Sequence, residues 1–156
     1  MIRHATDDDL LTLLELEREA SSTGLGHIFG PHLPFPADDV LARWRIVLDN
    51  PATTTLIDED ETGPVGYAAY GEGWLHHLGI RPRLWGTGRA DLLHGAVLDG
   101  LSAQGVSTSY LWVLVDNHRA RSFYARRGWE ETGVREPEVF EPFPVKIQLR
   151  RSLAAD

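Results

Sequence analysis

The sequence contains no cysteine and no long uninterrupted run of apolar residues. Without cysteine, disulfides, thiolate metal ligands and covalent acyl-cysteine chemistry are excluded, so any group transfer must proceed without a protein thiol. A membrane span would need about 18 consecutive apolar residues, and none are present. The first ten residues, MIRHATDDDL, also lack the basic and then apolar pattern of a signal peptide. We therefore expect a cytoplasmic protein with no membrane partner.

The 156 residues, 42% hydrophobic and 24% charged, suit one domain with a sizeable core, and we assign residues 1–156 to it. The net charge of −8 disfavours a nucleic-acid partner, because a duplex backbone requires a broad basic face. Residues 1–80 carry 4 Arg against 14 acidic residues, whereas residues 81–135 carry 8 Arg against 5. This asymmetry indicates either an anionic ligand near 81–135 with a cationic substrate near the acidic half, or simply solvated helices.

Hydrophobic periodicity predicts strands that alternate with helices. The predicted strands cover residues 2–5, 53–57, 65–70, 74–80, 110–115, 129–134 and 145–149. The predicted helices follow Thr6 (with Leu10, Leu11, Leu13 and Leu14 on a mostly buried face), span about 40–48, run from near Gly88 to Gly105, and span 118–127. Residues 21–36, with three glycines and three prolines, read as a loop interrupted at most by one helical turn. This order predicts an α+β fold of mixed α/β layers.

A glycine-containing turn follows the strand at 74–80 and begins the next helix. Gly86 and Gly88 flank Thr87, and glycines let a backbone approach an anion closely while free amides and the positive helix end face it. Asp91 stands where a dinucleotide-binding fingerprint has its third glycine, and no G-K-[ST] sequence is present. The turn therefore predicts either a phosphate-binding loop or an ordinary strand-to-helix connection.

A second stretch places polar and aromatic side chains at the start of a later helix. Asn117 ends a predicted strand, and Tyr124 follows seven residues later, almost two helical turns on, so both look along one helix face. The alternative is that Tyr124 and Phe123 are only core aromatics.

Taken together, the two stretches resemble the N-acetyltransferase superfamily known as GNAT. The resemblance rests on Leu78-Gly79-Ile80-Arg81-Pro82, on Trp85-Gly86-Thr87-Gly88-Arg89-Ala90, and on Asn117-x-x-Ala120-x-x-Phe123-Tyr124-x-x-x-Gly128-Trp129. It implies an acyl-CoA N-acyltransferase fold, in which helices flank a mostly antiparallel sheet of about seven strands with splayed central strands. It also implies acetyl-CoA as cofactor and direct attack, in a ternary complex, by a primary amine of a small molecule or an amino terminus. Because dimers are common in similar proteins, a homodimer is compatible with it.

The resemblance further implies where the cofactor binds. Pantetheine would pair with the backbone of Leu78, Gly79 and Ile80 as an added strand would. In the usual phosphate-loop pattern, [QR]-x-x-G-x-[GA], the spacing after Pro82 puts Trp85 at the first position, a departure from Arg or Gln, and leaves Ala90 for the last; we prefer this register. The pattern is also met literally two residues earlier, from Arg83 to Gly88. The loop residues that would contact pyrophosphate, by backbone amides or by a charge-assisted side chain, are Arg83, Trp85, Gly86, Thr87, Gly88, Arg89 and Ala90. Asn117 would bind the pantetheine arm, and Tyr124 would lie near the thioester sulfur.

Acyl transfer to an amine needs a neutral nucleophile, an oxyanion donor and a proton for the leaving thiolate. The Tyr124 phenol can supply that proton, and a backbone amide at Leu78 or Ile80 can stabilise the oxyanion. For the base we predict His76, which by strand alternation shares a face with Leu78 and Ile80 while His77 points away. Glu72 is the next candidate, and a structural histidine at position 76 is the alternative.

The acceptor wall is predicted to include His76 and residues from the early loop and the late FEPFP segment. These are His27, Phe29, Phe35 and Phe140. No ligand-spacing motif joins His27, His32 and His77, so we predict no metal site. Two other functions stay open: an acyl-CoA-binding sensory module of the same fold, and acetylation of charged tRNA, which the net charge of −8 disfavours.

Overall fold

The computed structural model describes residues 1–153. Within them one seven-stranded sheet, ordered β1-β2-β3-β4-β5-β7-β6, is flanked by helices. The strands are β1 (Ile2–His4), β2 (Thr54–Asp60), β3 (Gly63–Gly71), β4 (Trp74–Ile80), β5 (Thr108–Leu114), β6 (Glu130–Pro137) and β7 (Val145–Ser152). The helices are α1 (Leu10–Gly24), α2 (Gly26–Phe29), α3 (Ala37–Asp49), α4 (Arg89–Ala103) and α5 (His118–Ala125). The predicted fold class and element order are confirmed.

A charged cluster connects β1 to the start of α1. Arg3 donates to both carboxylate oxygens of Asp9 at 2.8 Å, and the Thr6 amide donates to Asp9 at 2.7 Å. These bonds hold the pKa of Asp9 below its usual range. One core prediction for α1 is wrong: Leu11 faces solvent and is 66% exposed, whereas Leu13 is fully buried.

Residues 21–36 are more helical than predicted. α1 continues to Gly24, because the Leu25 amide still donates to the Ser21 carbonyl at 2.9 Å, and α2 then adds one turn. At Gly24 the helix passes the indole of Trp85, whose nearest atom lies 3.5 Å from the position a Cβ would take. The end of α1 therefore lies against the segment that precedes α4. None of the helices within residues 1–153 is both long and apolar enough to cross a membrane.

The sheet separates two hydrophobic cores. On one face α4 and α5 pack against the central strands, with Leu93, Val97, Leu101, Leu111, Tyr124 and Trp129 among the buried residues. On the other face α1 and α3 cover the first half of the sheet, with Leu13, Leu16, Val40, Trp44, Ile57 and Tyr67 buried. Burial on both faces fixes the strands of this half rigidly.

The centre of the sheet is splayed. All neighbouring strands pair antiparallel except β4 and β5, which are parallel and share the single pair Trp74↔Tyr110. The Tyr110 amide and the Ser109 hydroxyl both donate to the Gly73 carbonyl, at 3.0 and 2.9 Å, which fixes the strands together at this end. Beyond it, the edge of β4 that faces β5 has no backbone partner in the described chain.

β4 contains a bulge. Its register with β3 runs from Ala69↔His77 directly to Tyr70↔Leu75, so His76 is an extra residue without a partner. A bulge breaks the strict alternation of side chains along a strand. Leu75 and Ile80, an odd number of positions apart, consequently lie in the same core.

Candidate active site

A cavity of about 2100 Å³ opens where β4 and β5 separate. One wall consists of the last residues of β4 and the loop that leads into α4, and the facing wall consists of α5. α1, α2, α3 and the β6–β7 loop line the rest. Of the predicted cofactor residues, those lining it are Leu78, Gly79, Ile80, Trp85, Gly86, Gly88, Ala90, Asn117 and Tyr124.

The loop between β4 and α4 presents open backbone amides to this cavity. A 3-10 turn over Pro82–Leu84 leads to Gly86 and Gly88, which have φ of 79° and 91°. No atom lies within 4 Å of the position that a Cβ would take at either glycine, and neither amide has a backbone acceptor within residues 1–153. The first amides of α4 have no intrahelical acceptor either. Together these groups form a concave site suited to phosphate oxygens.

The charged side chains of this loop do not line the cavity, where the predicted charge-assisted contacts with phosphate would form. Arg89 donates to the buried Asp58 at 2.8 Å, and Arg83 donates to the Thr62 hydroxyl at 2.8 Å. The Thr87 hydroxyl bonds to the Leu84 carbonyl at 2.5 Å. None of these three residues lines the cavity. The two arginines are held at the β2–β3 end of the sheet because acidic residues there pair with them.

Instead, basic side chains reach the cavity from α5 and from the two residues that follow it. These are Arg119, Arg126 and Arg127. The Arg119 guanidinium lies 3.6 Å from the centroid of the Trp85 ring, and burial lowers its pKa from the usual value. Trp85 is in turn fixed by an indole bond to the Ile80 carbonyl at 3.0 Å. The only sequence signal for Arg119 was its position two residues after Asn117.

Asn117 both caps α5 and lines the cavity. Its side-chain oxygen accepts a hydrogen bond from the Ala120 amide at 3.2 Å, as an N-cap does. The capping bond uses the oxygen, so the side-chain NH2 is available as a donor. The prediction that Asn117 faces the site is therefore compatible with its structural role.

Tyr124 lies on the α5 wall with its ring in an aromatic cluster. His94, Phe123 and Trp129 surround it, and the Trp129 indole donates to His94 Nε2 at 3.0 Å. Burial raises the pKa of the Tyr124 phenol above its usual value, so the hydroxyl stays protonated at neutral pH. The pKa of His94 is lowered to about 4, first by burial and then by Arg151 and Arg127.

The two β4 histidines are placed differently from the prediction. His76 is exposed and lies outside the cavity, whereas His77 lines it and packs on Trp44 with ring centroids 4.8 Å apart. The bulge at His76 causes this difference, because it breaks the alternation on which the prediction rested. Burial, together with Arg43 and His76, lowers the pKa of His77 to about 3. His77 is therefore neutral at physiological pH.

Glu72 is also remote from the cavity. It forms the exposed turn between β3 and β4 with Gly73, at φ of 53° and 86°. A two-residue turn with both φ values positive matches the twist of a hairpin. Its side chain is not among those that line the cavity.

A half-buried ion pair from α1 and α3 lines the cavity, as His77 does. Glu17 pairs with Arg43, and Tyr67 lines the cavity beside them. Burial raises the pKa of Glu17 even though Arg43 opposes the change. Sequence reasoning missed this pair because the two residues belong to separate helices with no motif of their own.

The predicted acceptor residues separate into two groups. Phe29, Phe35 and Phe140 line the cavity, and the rings of Phe29 and Phe140 lie 6.0 Å apart. His27 does not line the cavity: its Nε2 is 2.8 Å from the Asp116 carbonyl, and its ring stacks on His118 at 6.2 Å. His27 thus holds α2 against the start of α5. Within residues 1–153 no group of three His, Asp or Glu side chains is placed to hold a metal ion.

The family model of the GNAT acetyltransferases matches residues 11–129, and the chain belongs to this family. The matched range contains the splayed strands, the glycine loop and Tyr124. Among curated proteins, no sequence matches the chain significantly.

Solved structures share the fold over almost the whole chain. The PaiA N-acetyltransferase of Thermoplasma acidophilum, in complex with coenzyme A, is 16% identical, with a TM-score of 0.76 over 97% of this chain and 98% of that one. The ribosomal-protein-alanine N-acetyltransferase of Brucella melitensis is 21% identical, with a TM-score of 0.73 over 97% and 99%. A chimera of the spermidine N-acetyltransferase SpeG from Vibrio cholerae and hSSAT is 19% identical, with a TM-score of 0.72 over 98% and 95%.

Proposed function

We propose that this protein is an N-acetyltransferase that moves the acetyl group of acetyl-CoA to a primary amine of a small molecule or an amino terminus, by direct attack in a ternary complex. The observation that carries the proposal is the unpaired edge of β4, which runs directly into the open amides of the glycine loop. Acetyl-CoA would supply the acetyl group in activated form as a thioester. The related folds include a coenzyme A complex and proteins named for protein-alanine and spermidine acetylation.

The residues present fit this cofactor. The β4 edge at Leu78 and Gly79 offers backbone groups to the amides of a pantetheine arm, and the Asn117 side chain faces them from the opposite wall. The amides of Gly86 and Gly88 and the start of α4 would hold the pyrophosphate. Arg119 adds a positive charge at the same end. We thus assign to Arg119 the charged contact that sequence reasoning gave to Arg83 or Arg89.

Two side chains that line the cavity, Tyr124 and Glu17, would donate and accept the protons of the reaction. Burial keeps the Tyr124 phenol protonated, so its hydroxyl would have a proton to donate to a departing CoA thiolate. An alkyl amine, with a pKa near 10.4, must lose a proton before it attacks. His76 and Glu72 do not line the cavity, so we assign the removal of this proton to Glu17. Burial raises the pKa of Glu17 toward neutral pH, which makes its carboxylate a stronger base.

The test is release of the CoA thiol from acetyl-CoA over a panel of amines, amino acids and peptides, with cofactor binding measured in parallel by calorimetry. The chain itself adds no thiol background, because it has no cysteine. We expect acetyl-CoA to bind and at least one class of amine to accelerate thiol release. Binding without release for any acceptor would indicate the acyl-CoA-binding sensory module instead.

A further inference from the structure

The cavity has opposite charges at its two ends. The end beside the glycine loop and α5 carries three arginines against the single carboxylate of Asp91, and Asp91 already pairs with Arg127. The end formed by α1, α3 and the β6–β7 loop carries four carboxylates against the single arginine Arg43. These carboxylates belong to Glu17, Asp39, Glu138 and Glu141. The basic end suits the phosphates of the cofactor, so the acidic end faces the acceptor.

Two of the acidic groups have no cationic partner. Glu17 pairs with Arg43, and Glu138 lies 3.7 Å from Lys146. Asp39 and Glu141 form no ion pair with any residue from 1 to 153, and both are exposed at the rim. Charges of one sign along a cleft attract ligands of the opposite sign.

Between the rim and β4 the acceptor end is lined by aromatic rings. Phe35 precedes α3, Phe29 lies on α2, and Phe140 comes from the β6–β7 loop. The Arg18 guanidinium lies 5.5 Å from the centroid of Phe35, which shows that this ring accommodates a cation. Rings at these positions can pack an apolar stem or contact a cationic group.

The attacking amine must be neutral when it reacts, so it carries no positive charge that could balance the carboxylates of the acidic end. A second group on the acceptor, with a positive charge, would pair with the rim carboxylates of Asp39 and Glu141. An acceptor carboxylate would meet four acidic groups, and Arg43, the one arginine that lines this end of the cavity, is already bonded to Glu17. We propose that the acceptor is a primary amine on an apolar stem whose far end carries a second positive charge, a diamine. This inference rests on the proposed function and names the substrate class for the same cavity.

Three probes with one six-carbon stem test the proposal: 1,6-diaminohexane, 1-aminohexane and 6-aminohexanoate. Their binding to the CoA-loaded protein is measured by calorimetry, and thiol release is measured with each. We expect the diamine to bind about tenfold more tightly than the monoamine and the amino acid to bind most weakly, as the rim charges require. In the double variant Asp39→Asn/Glu141→Gln, the diamine should lose most of this advantage while the monoamine binds as before.

Matched controls remove carboxylates that do not line the cavity. Asp38→Asn alters the neighbouring exposed position of α3, and Glu136→Gln alters exposed β6. Both should keep the diamine preference. Equal binding of diamine and monoamine, or an equal loss in the controls, would overturn the inference. Tight diamine binding without thiol release would leave the inference standing and refute the proposed function, whereas turnover that favours the monoamine would do the reverse.

Discussion

Trp74 and Tyr110 form the only backbone pair between β4 and β5, and their rings lie 5.5 Å apart. No later residue of β4 has a strand partner on that side within the described chain. The cleft therefore begins at this pair and widens toward the glycine loop. Its two walls carry the groups on which the proposed transfer depends: backbone donors on β4 and a protonated phenol on α5.

Tyr124→Phe removes the hydroxyl but keeps the buried ring. We expect kcat to fall about 100-fold, which is the usual contribution of a general acid, while acetyl-CoA affinity stays within about twofold. Steady-state kinetics and calorimetry measure the two effects separately. Tyr110→Phe, which changes a tyrosine outside the cavity, is the control. An unchanged kcat in Tyr124→Phe would remove Tyr124 from the mechanism.

Gly88→Asp should weaken acetyl-CoA binding by at least about tenfold, because it places a negative side chain in the phosphate loop and strains a backbone at φ 91°. Gly105→Asp provides a matched control. Gly105 has a similar φ of 82° and equally open surroundings, but it lies at the far end of α4. Both variants should lose thermal stability to a similar degree, and only the Gly88 variant should lose affinity. Equal affinity of the two for acetyl-CoA would show that the loop does not bind phosphate.

Arg119→Gln should reduce acetyl-CoA affinity about fivefold and make it less sensitive to salt, since one cation near the phosphates is lost. Calorimetry at two ionic strengths measures both effects. The control is Arg150→Gln, an exposed arginine on β7. A loss of the same size in the control would mean that only the overall charge matters.

The sequence predicts that the glycine loop, Asn117 and Tyr124 belong to one site because the spacing within each stretch is local, and in the structure they line one cavity. Each belongs to a strand-to-helix or helix-to-strand connection that a short motif describes. Glu17, the base that we propose, was not predictable in this way. A bulge leaves no mark in an alternating pattern, so the assignment of faces to His76 and His77 failed at the one position where the strand has an extra residue.

Long-range charge pairing explains the remaining differences. Arg83 and Arg89 are adjacent to the glycines in the sequence, yet acidic residues of β2 hold them elsewhere. Glu17 and Arg43 meet only because α1 and α3 pack on the same face of the sheet. Neither fact follows from local spacing, because each depends on which helices and strands become neighbours.

His94 should make stability depend on pH. Its pKa is about 4 in the folded protein, against about 6.5 in an unfolded chain. Between these values the unfolded chain binds more protons, so the histidine's contribution is intact above pH 6.5 and is lost as the pH falls toward 4. In His94→Gln, whose amide oxygen can still accept from Trp129, the fall in Tm between about pH 7 and about pH 5 should be smaller by about 4 °C.

Calorimetric scans across this pH range measure that difference. The exposed residue His4, changed to Gln, serves as the control and should leave the pH dependence as it is in the parent protein. If His94→Gln and the parent lost stability in parallel on acidification, burial would not hold the pKa of His94 below its usual value.

Direct transfer between two bound substrates is the central claim, and the products test it most directly. The protein is incubated with acetyl-CoA and 1,6-diaminohexane, and mass spectrometry follows the amine, the released thiol and the protein itself. We expect one acetylated amine for each thiol released and an unmodified protein, with the product formed about 100-fold more slowly in Tyr124→Phe. An acetylated protein, or thiol release without an acetylated amine, would contradict it.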